Sequence, residues 1–181
     1  MIATRTASTL ALAGCFAGML LSDGLRTAAA LSPAWFPETW PFPVDRWGEG
    51  RAFWCRSCAG NIKFYVRAKG ALRNCSAGIA DDDEIDRVSD LRLIGAQSSP
   101  RGAGNRIMVG WMRGRTRAFQ IDNANRPRRF AVTVALANKC DAIVATIVSD
   151  EPVSDDTRRS ALFFFESDPL IAESGRTRGT R

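Results

Sequence analysis

Four cysteines are the residues of this chain best suited to chemistry. Beyond residue 30 they are Cys55, Cys58, Cys75 and Cys140. An even number of cysteines in an oxidising compartment predicts two disulfide bonds, and three pairings are open. A structural zinc site is the alternative. One C-x2-C pair, followed by gaps of sixteen and sixty-four residues, fits no compact zinc knuckle. We therefore predict disulfides, and neither a metal ion nor a cofactor.

The chain contains no histidine. This excludes the Ser-His-Asp and Cys-His mechanisms, histidine-based metal sites, and acid-base catalysis by histidine. The enzyme hypotheses that remain use thiols or carboxylates.

Around the first cysteine pair, Trp54-Cys55-Arg56-Ser57-Cys58 resembles the W-C-x-x-C motif of thioredoxin-like disulfide oxidoreductases. The resemblance covers these five residues and implies a nucleophilic thiol at Cys55. In those proteins the motif opens a helix, whose positive end lowers the pKa of the thiol. Here Ala59-Gly60-Asn61 leads into a predicted strand. We therefore favour structural disulfides and keep a thiol-disulfide oxidoreductase as an alternative.

A cluster of carboxylates is the second candidate for chemistry. Asp81 to Glu84 run consecutively, and Asp86 and Asp90 follow. Paired carboxylates can cleave glycosidic bonds or hold a hard cation. A calcium loop starting at Asp82 would need Gly and Glu where Arg87 and Leu93 stand. The favoured interpretation is a helix cap, with a carboxylate-based hydrolase using the Asp81–Asp86 cluster as the alternative.

Arginines form the third candidate, an anion-binding module. We predict a hairpin turn at Arg113-Gly114 that carries one set of arginines, and a second set that precedes a buried strand. The favoured interpretation is separate solvated charges. If the sheet instead stacks the two loops, their guanidinium groups could bind carboxylate or phosphate. The six residues are Arg113, Arg115, Arg117, Arg126, Arg128 and Arg129.

The N-terminus predicts export. Arg5 precedes an apolar run from Ala7 to Leu21, and Ala28 to Ala30 suit signal peptidase. Leu12-Ala13-Gly14-Cys15 also resembles the lipobox of bacterial lipoproteins, which implies lipidation of Cys15. Cleavage, lipidation and a retained signal anchor all stay open for residues 1–30. Each places the protein in the periplasm or on a membrane facing it, where nucleic acid is not an expected partner.

The remaining chain predicts one α+β domain. Residues 31–50 hold four prolines and three tryptophans, which favours an extended strap that seals the core. Residues 51–170 carry period-two segments, among them Asn61 to Ala68, and two helical segments that begin at acidic residues. We expect Phe130 to Ala137 and Ala142 to Val148 to form a central hairpin. Residues 171–181 form a basic tail that we expect to be disordered.

The predicted fold is therefore a mostly antiparallel sheet of about five to seven strands with two or three helices. The leading functional hypothesis is an exported, disulfide-stabilised accessory or binding protein without catalytic residues. Its partner would be an unknown envelope protein or an anionic surface, in keeping with the net charge of +6.

Overall fold

The computed structural model describes residues 35–70, 72–124 and 126–167, and the backbone but not the side chain of Arg126. The predicted signal or anchor segment 1–30, with Cys15, and the predicted disordered tail 171–181 lie outside these residues. The elements, in chain order, are β1 (Trp35–Glu38), β2 (Arg51–Cys55), β3 (Lys63–Lys69), α1 (Asp82–Val88), α2 (Leu91–Ile94), β4 (Gln97–Pro100), β5 (Asn105–Val109), β6 (Met112–Asn123), β7 (Arg126–Asn138), β8 (Asp141–Ser149) and α3 (Asp155–Glu166).

All eight strands belong to one antiparallel sheet. The order is β1-β2-β3-β8-β7-β6-β4, and β5 pairs with another part of β6. The α+β prediction is confirmed, as is the central β7–β8 hairpin. The sheet has one strand more than the predicted range. Residues 97–105 are rich in Ser, Pro and Gly, a composition typical of turns, but Gln97–Pro100 is a strand, because β6 is long enough to pair with both β4 and β5.

The sheet is covered on both faces, which we call the α3 face and the α1 face. On the α3 face, Ala161 and Phe165 of the helix pack against strand residues such as Phe64, Leu136 and Ile147. On the α1 face, α1 and α2 cover two smaller apolar clusters. Burial of both faces explains why the central strands carry apolar residues at nearly every position.

The helices begin where acidic and hydroxyl residues predict. The side chain of Asp81 accepts a hydrogen bond from the backbone N–H of Glu84 at 2.8 Å, which caps α1. Ser154 caps α3 by accepting from the N–H of Thr157. Each cap satisfies one of the N–H groups that a helix start leaves unpaired. No helix in the described part of the chain is long and apolar enough to cross a membrane.

The strap is extended and contributes to both faces. Its first described residues, Trp35–Glu38, form β1, an edge strand, where Pro37 lacks a backbone N–H. On the α3 face, Trp35 packs against Phe64 with ring centroids 5.5 Å apart. On the α1 face, Phe42 meets Tyr65 at 4.9 Å. Because its aromatic side chains pack against β3 on both faces of the sheet, the strap is part of the core.

The turn between β5 and β6 differs from the prediction. Arg113-Gly114 was the predicted turn, but the chain reverses at Gly110 and Trp111, where Gly110 has a φ of 55°. Gly114 lies inside β6, and a Cβ there would be 1.9 Å from the carbonyl oxygen of Ala135. The prediction was wrong because two glycines four residues apart look alike locally, and only strand packing distinguishes them.

Candidate functional site

The cysteines pair as Cys55–Cys58 and Cys75–Cys140. Cys55 ends β2 and is buried, and residues 56–60 form bends before β3 begins. No helix follows the C-x-x-C pair, so no helix dipole is present to lower the pKa of a Cys55 thiol. Instead, the guanidinium of Arg56 lies 4.7 Å from the ring centroid of Phe36 and 5.2 Å from that of Trp54. This geometry is that of a disulfide closing a hairpin turn.

The acidic helix and the arginines of β6 neutralise each other. Arg115 donates two hydrogen bonds to Asp82, at 3.0 and 2.5 Å, and Arg117 donates to Asp86 at 2.7 Å. The backbone N–H of Gly104 and the guanidinium of Arg115 hold the pKa of Asp82 below its ordinary value. A carboxyl group that donates a proton in glycoside cleavage needs a raised pKa instead. Asp82 and Asp86 of the predicted carboxylate cluster are thus ion-paired with arginines of the predicted anion-binding set, namely Arg115 and Arg117.

Glu84 is buried and equally engaged. It accepts hydrogen bonds from Arg87 at 2.9 and 2.5 Å and from the backbone N–H of Arg73 at 3.3 Å. The bond from Arg87 holds the pKa of Glu84 below its ordinary value. Glu84 therefore fastens the chain before α1 to the helix.

A cluster of four charges, of which Asp45 is exposed and the other three are buried, underlies a polar cleft of about 530 Å³ beside the turn from α1 to α2. Arg67, only 2% exposed, donates to Asp90 at 2.5 Å and to Asp45 of the strap at 2.8 Å. Lys69 lies 2.7 Å from Asp90, and burial lowers the pKa of its ammonium group. Since the two positive charges match the two negative ones, the cleft floor offers no net charge to a ligand. We interpret this cluster as the clasp that holds the strap on the sheet.

The predicted arginine patch is not formed as one site. Ile121 of β6 pairs with Arg129 of β7, so along the strand Arg129 lies roughly 26 Å from Arg113 and roughly 13 Å from Arg117. Arg128 pairs with Asp122 at 3.1 Å, and Arg129 donates to the carbonyl of Ile94 at 2.5 Å. The side chain of Arg126 lies outside the described residues. The condition for a shared patch, that the sheet stacks the two arginine loops on each other, is not met among the described side chains.

Arg113 is the exception among the predicted arginines that the structure describes. It is exposed and makes no ion pair or hydrogen bond with another described residue, and the same holds for Arg106 on the neighbouring strand. Both line a groove of about 530 Å³ on the α1 face, which we call the basic groove. The other lining residues are uncharged, and they are Ala77, Ile79, Ala80, Ile107, Met108, Gly114 and Ala137.

The far wall of the basic groove is fixed covalently. The loop from Leu72 to Ala80 carries Cys75, whose disulfide to Cys140 ties it to the turn between β7 and β8. The N–H of Leu72 also donates to the carbonyl of Cys140 at 2.9 Å. Gly78 packs so closely that a Cβ there would lie 2.8 Å from the Cβ of Ala137. The groove is thus held open between a pinned loop and a hairpin.

This arrangement can bind an anion that also carries an apolar part. Guanidinium groups suit carboxylate and phosphate, and the side chain of Met108 is 65% exposed beside them. Among the described residues no group of three His, Cys, Asp or Glu side chains could hold a metal ion. Arg106, Met108 and Ile79 were not among the predicted site residues. A turn predicted at Gly110 would have indicated Arg106 and Met108, because it pairs Met108 with Arg113 and so places both residues on the same face of the sheet as Arg113.

Comparisons with known proteins give no indication of function. No protein-family model matches this chain, and no curated protein matches it.

Proposed function

We propose that the protein is an exported, disulfide-stabilised accessory protein without catalytic activity, which binds an anionic partner through the basic groove. One observation carries the proposal. Arg106 and Arg113, both without an ion pair among the described residues, line an apolar groove that contains no carboxylate. Binding sites are commonly apolar concavities with a few polar groups that orient the ligand.

Export is supported by the N-terminal apolar run and by the cysteines. Disulfides persist in oxidising compartments such as the periplasm and are rare in the cytosol. Both cysteine pairs lie within disulfide distance. Charged substitutions at Leu12, Leu20 and Leu21 should leave an unprocessed precursor in the cytoplasm, whereas equal recovery of variant and original from the periplasm would refute export. Intact mass of the exported protein distinguishes cleavage, lipidation of Cys15 and a retained anchor.

The surroundings of the candidate catalytic residues favour a binding role over both the thiol-disulfide oxidoreductase and the carboxylate-based hydrolase. Cys55 and Cys58 close a turn that no helix follows, and Asp82, Glu84 and Asp86 are paired with arginines. A Cys58→Ser variant should trap no mixed disulfides with other proteins. Recovery of adducts that depend on Cys55 would favour the oxidoreductase instead.

Titration with soluble polyglutamate at low salt tests the groove. Arg106→Gln and Arg113→Gln should each weaken binding about two- to fivefold, the range of an exposed ion pair. Arg92→Gln is the matched control, because Arg92 is exposed, has no ion pair within the described ranges and lies in the polar cleft beside α2. An equal loss in Arg92→Gln would mean that only the net charge of the protein attracts the polymer, and would refute the groove.

A further inference from the structure

Among the described residues, the outer side of β5 is an open edge of the sheet. There β5 pairs with β6 alone, and the paired residues Val109 and Met112 flank the two-residue turn. Residues that flank such a turn exchange backbone hydrogen bonds, and in an antiparallel pair this role alternates along the strand. Val109 and Ile107 therefore bond to β6. Arg106 and Met108 direct their N–H and C=O groups away from the sheet.

β5 differs in one respect from the other two edge strands. β1 contains Pro37 and β4 contains Pro100, and neither proline can donate a backbone hydrogen bond to an added strand. Proline is one of the devices by which proteins prevent strands from pairing at a sheet edge. The sequence of β5, Asn105 to Val109, has no proline. Its open backbone groups can accept another strand.

The side chains of the same residues line the basic groove. Arg106 and Met108 lie on the α1 face, and the register places Arg113 directly across from Met108. The two arginines are thus diagonal neighbours on adjacent strands, separated by about 7–8 Å. A strand added beside β5 would place every second side chain next to this pair of guanidinium groups and the exposed thioether of Met108.

We infer that the partner is an extended peptide segment of another protein that alternates acidic and apolar residues and adds to β5 as a further strand. This inference rests on the proposed function and names its partner. An added strand gains affinity from main-chain hydrogen bonds and specificity from alternate side-chain contacts. An open row of backbone donors and acceptors serves a peptide and has no counterpart in a lipid headgroup. The charge of the groove selects acidic side chains.

The test uses the full chain and a short fluorescent peptide that alternates glutamate and leucine. Two further peptides carry N-methyl groups, one on every glutamate amide and the other on every leucine amide. Alternate N–H groups of a strand point to opposite sides, so only one methylated set meets β5. One methylated peptide should therefore lose at least about fivefold in affinity while the other binds like the parent. Equal binding of both methylated peptides would overturn strand addition.

Substitutions separate this inference from the proposed function. Arg106→Gln and Arg113→Gln should weaken the parent peptide, and Arg92→Gln should not. If the arginines matter and methylation does not, the groove binds anions without strand addition and only the inference fails. If neither the arginine substitutions nor the N-methylation weakens binding, both the strand-addition inference and the proposed function fail. Arginine-dependent binding to vesicles of phosphatidylglycerol and phosphatidylcholine that exceeds binding to the peptide would overturn a peptide partner in favour of a lipid surface. Unchanged thermal unfolding of each variant confirms that it is folded.

Discussion

Removing the two disulfides one at a time should destabilise the domain by very different amounts. Cys75 and Cys140 are 65 residues apart in sequence, and Cys55 and Cys58 are 3 apart. A cross-link stabilises mainly by restricting the unfolded chain, and its effect grows with the logarithm of the loop it closes. The loop lengths give about 4 kcal/mol for Cys75–Cys140 and roughly 1.6 kcal/mol for Cys55–Cys58.

Packing changes these values without reversing their order. Cys75 and Cys140 are both exposed, so replacing them by alanine should remove little buried surface. Cys55 is 4% exposed and packs in the cluster that contains Phe53 and Phe64. Loss of its sulfur adds about 1 kcal/mol to the cost of removing the short disulfide. The long-range disulfide still contributes more.

Urea unfolding of the two double variants, each with both cysteines of one pair changed to alanine, measures the difference. The variant at 75 and 140 should lose about 4 kcal/mol, and the variant at 55 and 58 about 2 to 3 kcal/mol. The original protein treated with a reductant keeps the Cys55 sulfur, so it should lose about the sum of the two loop-closure terms, roughly 6 kcal/mol. An equal or larger loss in the variant at 55 and 58 would refute the argument from loop length.

Three further outcomes follow from buried charges and from the acidic helix. Asp90→Asn should destabilise by about 3–5 kcal/mol in urea unfolding, since it leaves buried positive charge uncompensated; Asp45→Asn should have a smaller effect because that side chain is 40% exposed, and equal losses would contradict the buried clasp. Tyr65 is the only tyrosine, and burial raises its pKa to about 12. Phenolate absorbance of the folded protein should therefore appear near that pH, and the free energy of unfolding should decrease as pH rises above about 10. A titration midpoint of the phenol near 10 in the folded protein would contradict this. The pKa values of Asp82 and Glu84 lie below their ordinary 3.8 and 4.5, so the stability that these carboxylates contribute is present above those values and is lost as pH falls through their pKa values in the folded protein. The unfolding temperature should therefore decrease below about pH 4.5, and the double variant Asp82→Asn, Glu84→Gln should show a weaker dependence of unfolding temperature on pH. The same pH dependence in the variant and the original would refute the role of these ion pairs.

Strand β3 shows how far local periodicity reaches. The alternation from Asn61 to Ala68 predicted a half-buried strand, and the strand is there. Its polar face is nevertheless buried: Arg67 and Lys69 are 2% and 8% exposed. The strap and the turn from α1 to α2 cover this face and supply the carboxylates that match the charges. Because those carboxylates come from residues 22 and 23 positions away, no local pattern could have indicated them.

The arginines illustrate the same limit for the candidate site. Composition indicated an excess of positive charge, but Arg115 and Arg117 pair with α1, whereas Arg113 and Arg106 do not. The difference depends on where the hairpin reverses and on which part of β6 lies beneath α1. A shift of the turn from Gly114 to Gly110 moves three predicted turn arginines into a strand.

The sequence by itself determined the α+β class, the central hairpin, the helix caps and the presence of two disulfides. These follow from hydrophobic periodicity, from side chains that bond to nearby backbone, and from an even number of cysteines. The tertiary structure alone decided which cysteines pair, which arginines are neutralised, and that an apolar groove faces Arg106 and Arg113. These features depend on contacts between residues far apart in sequence, and strand register and helix placement set those contacts.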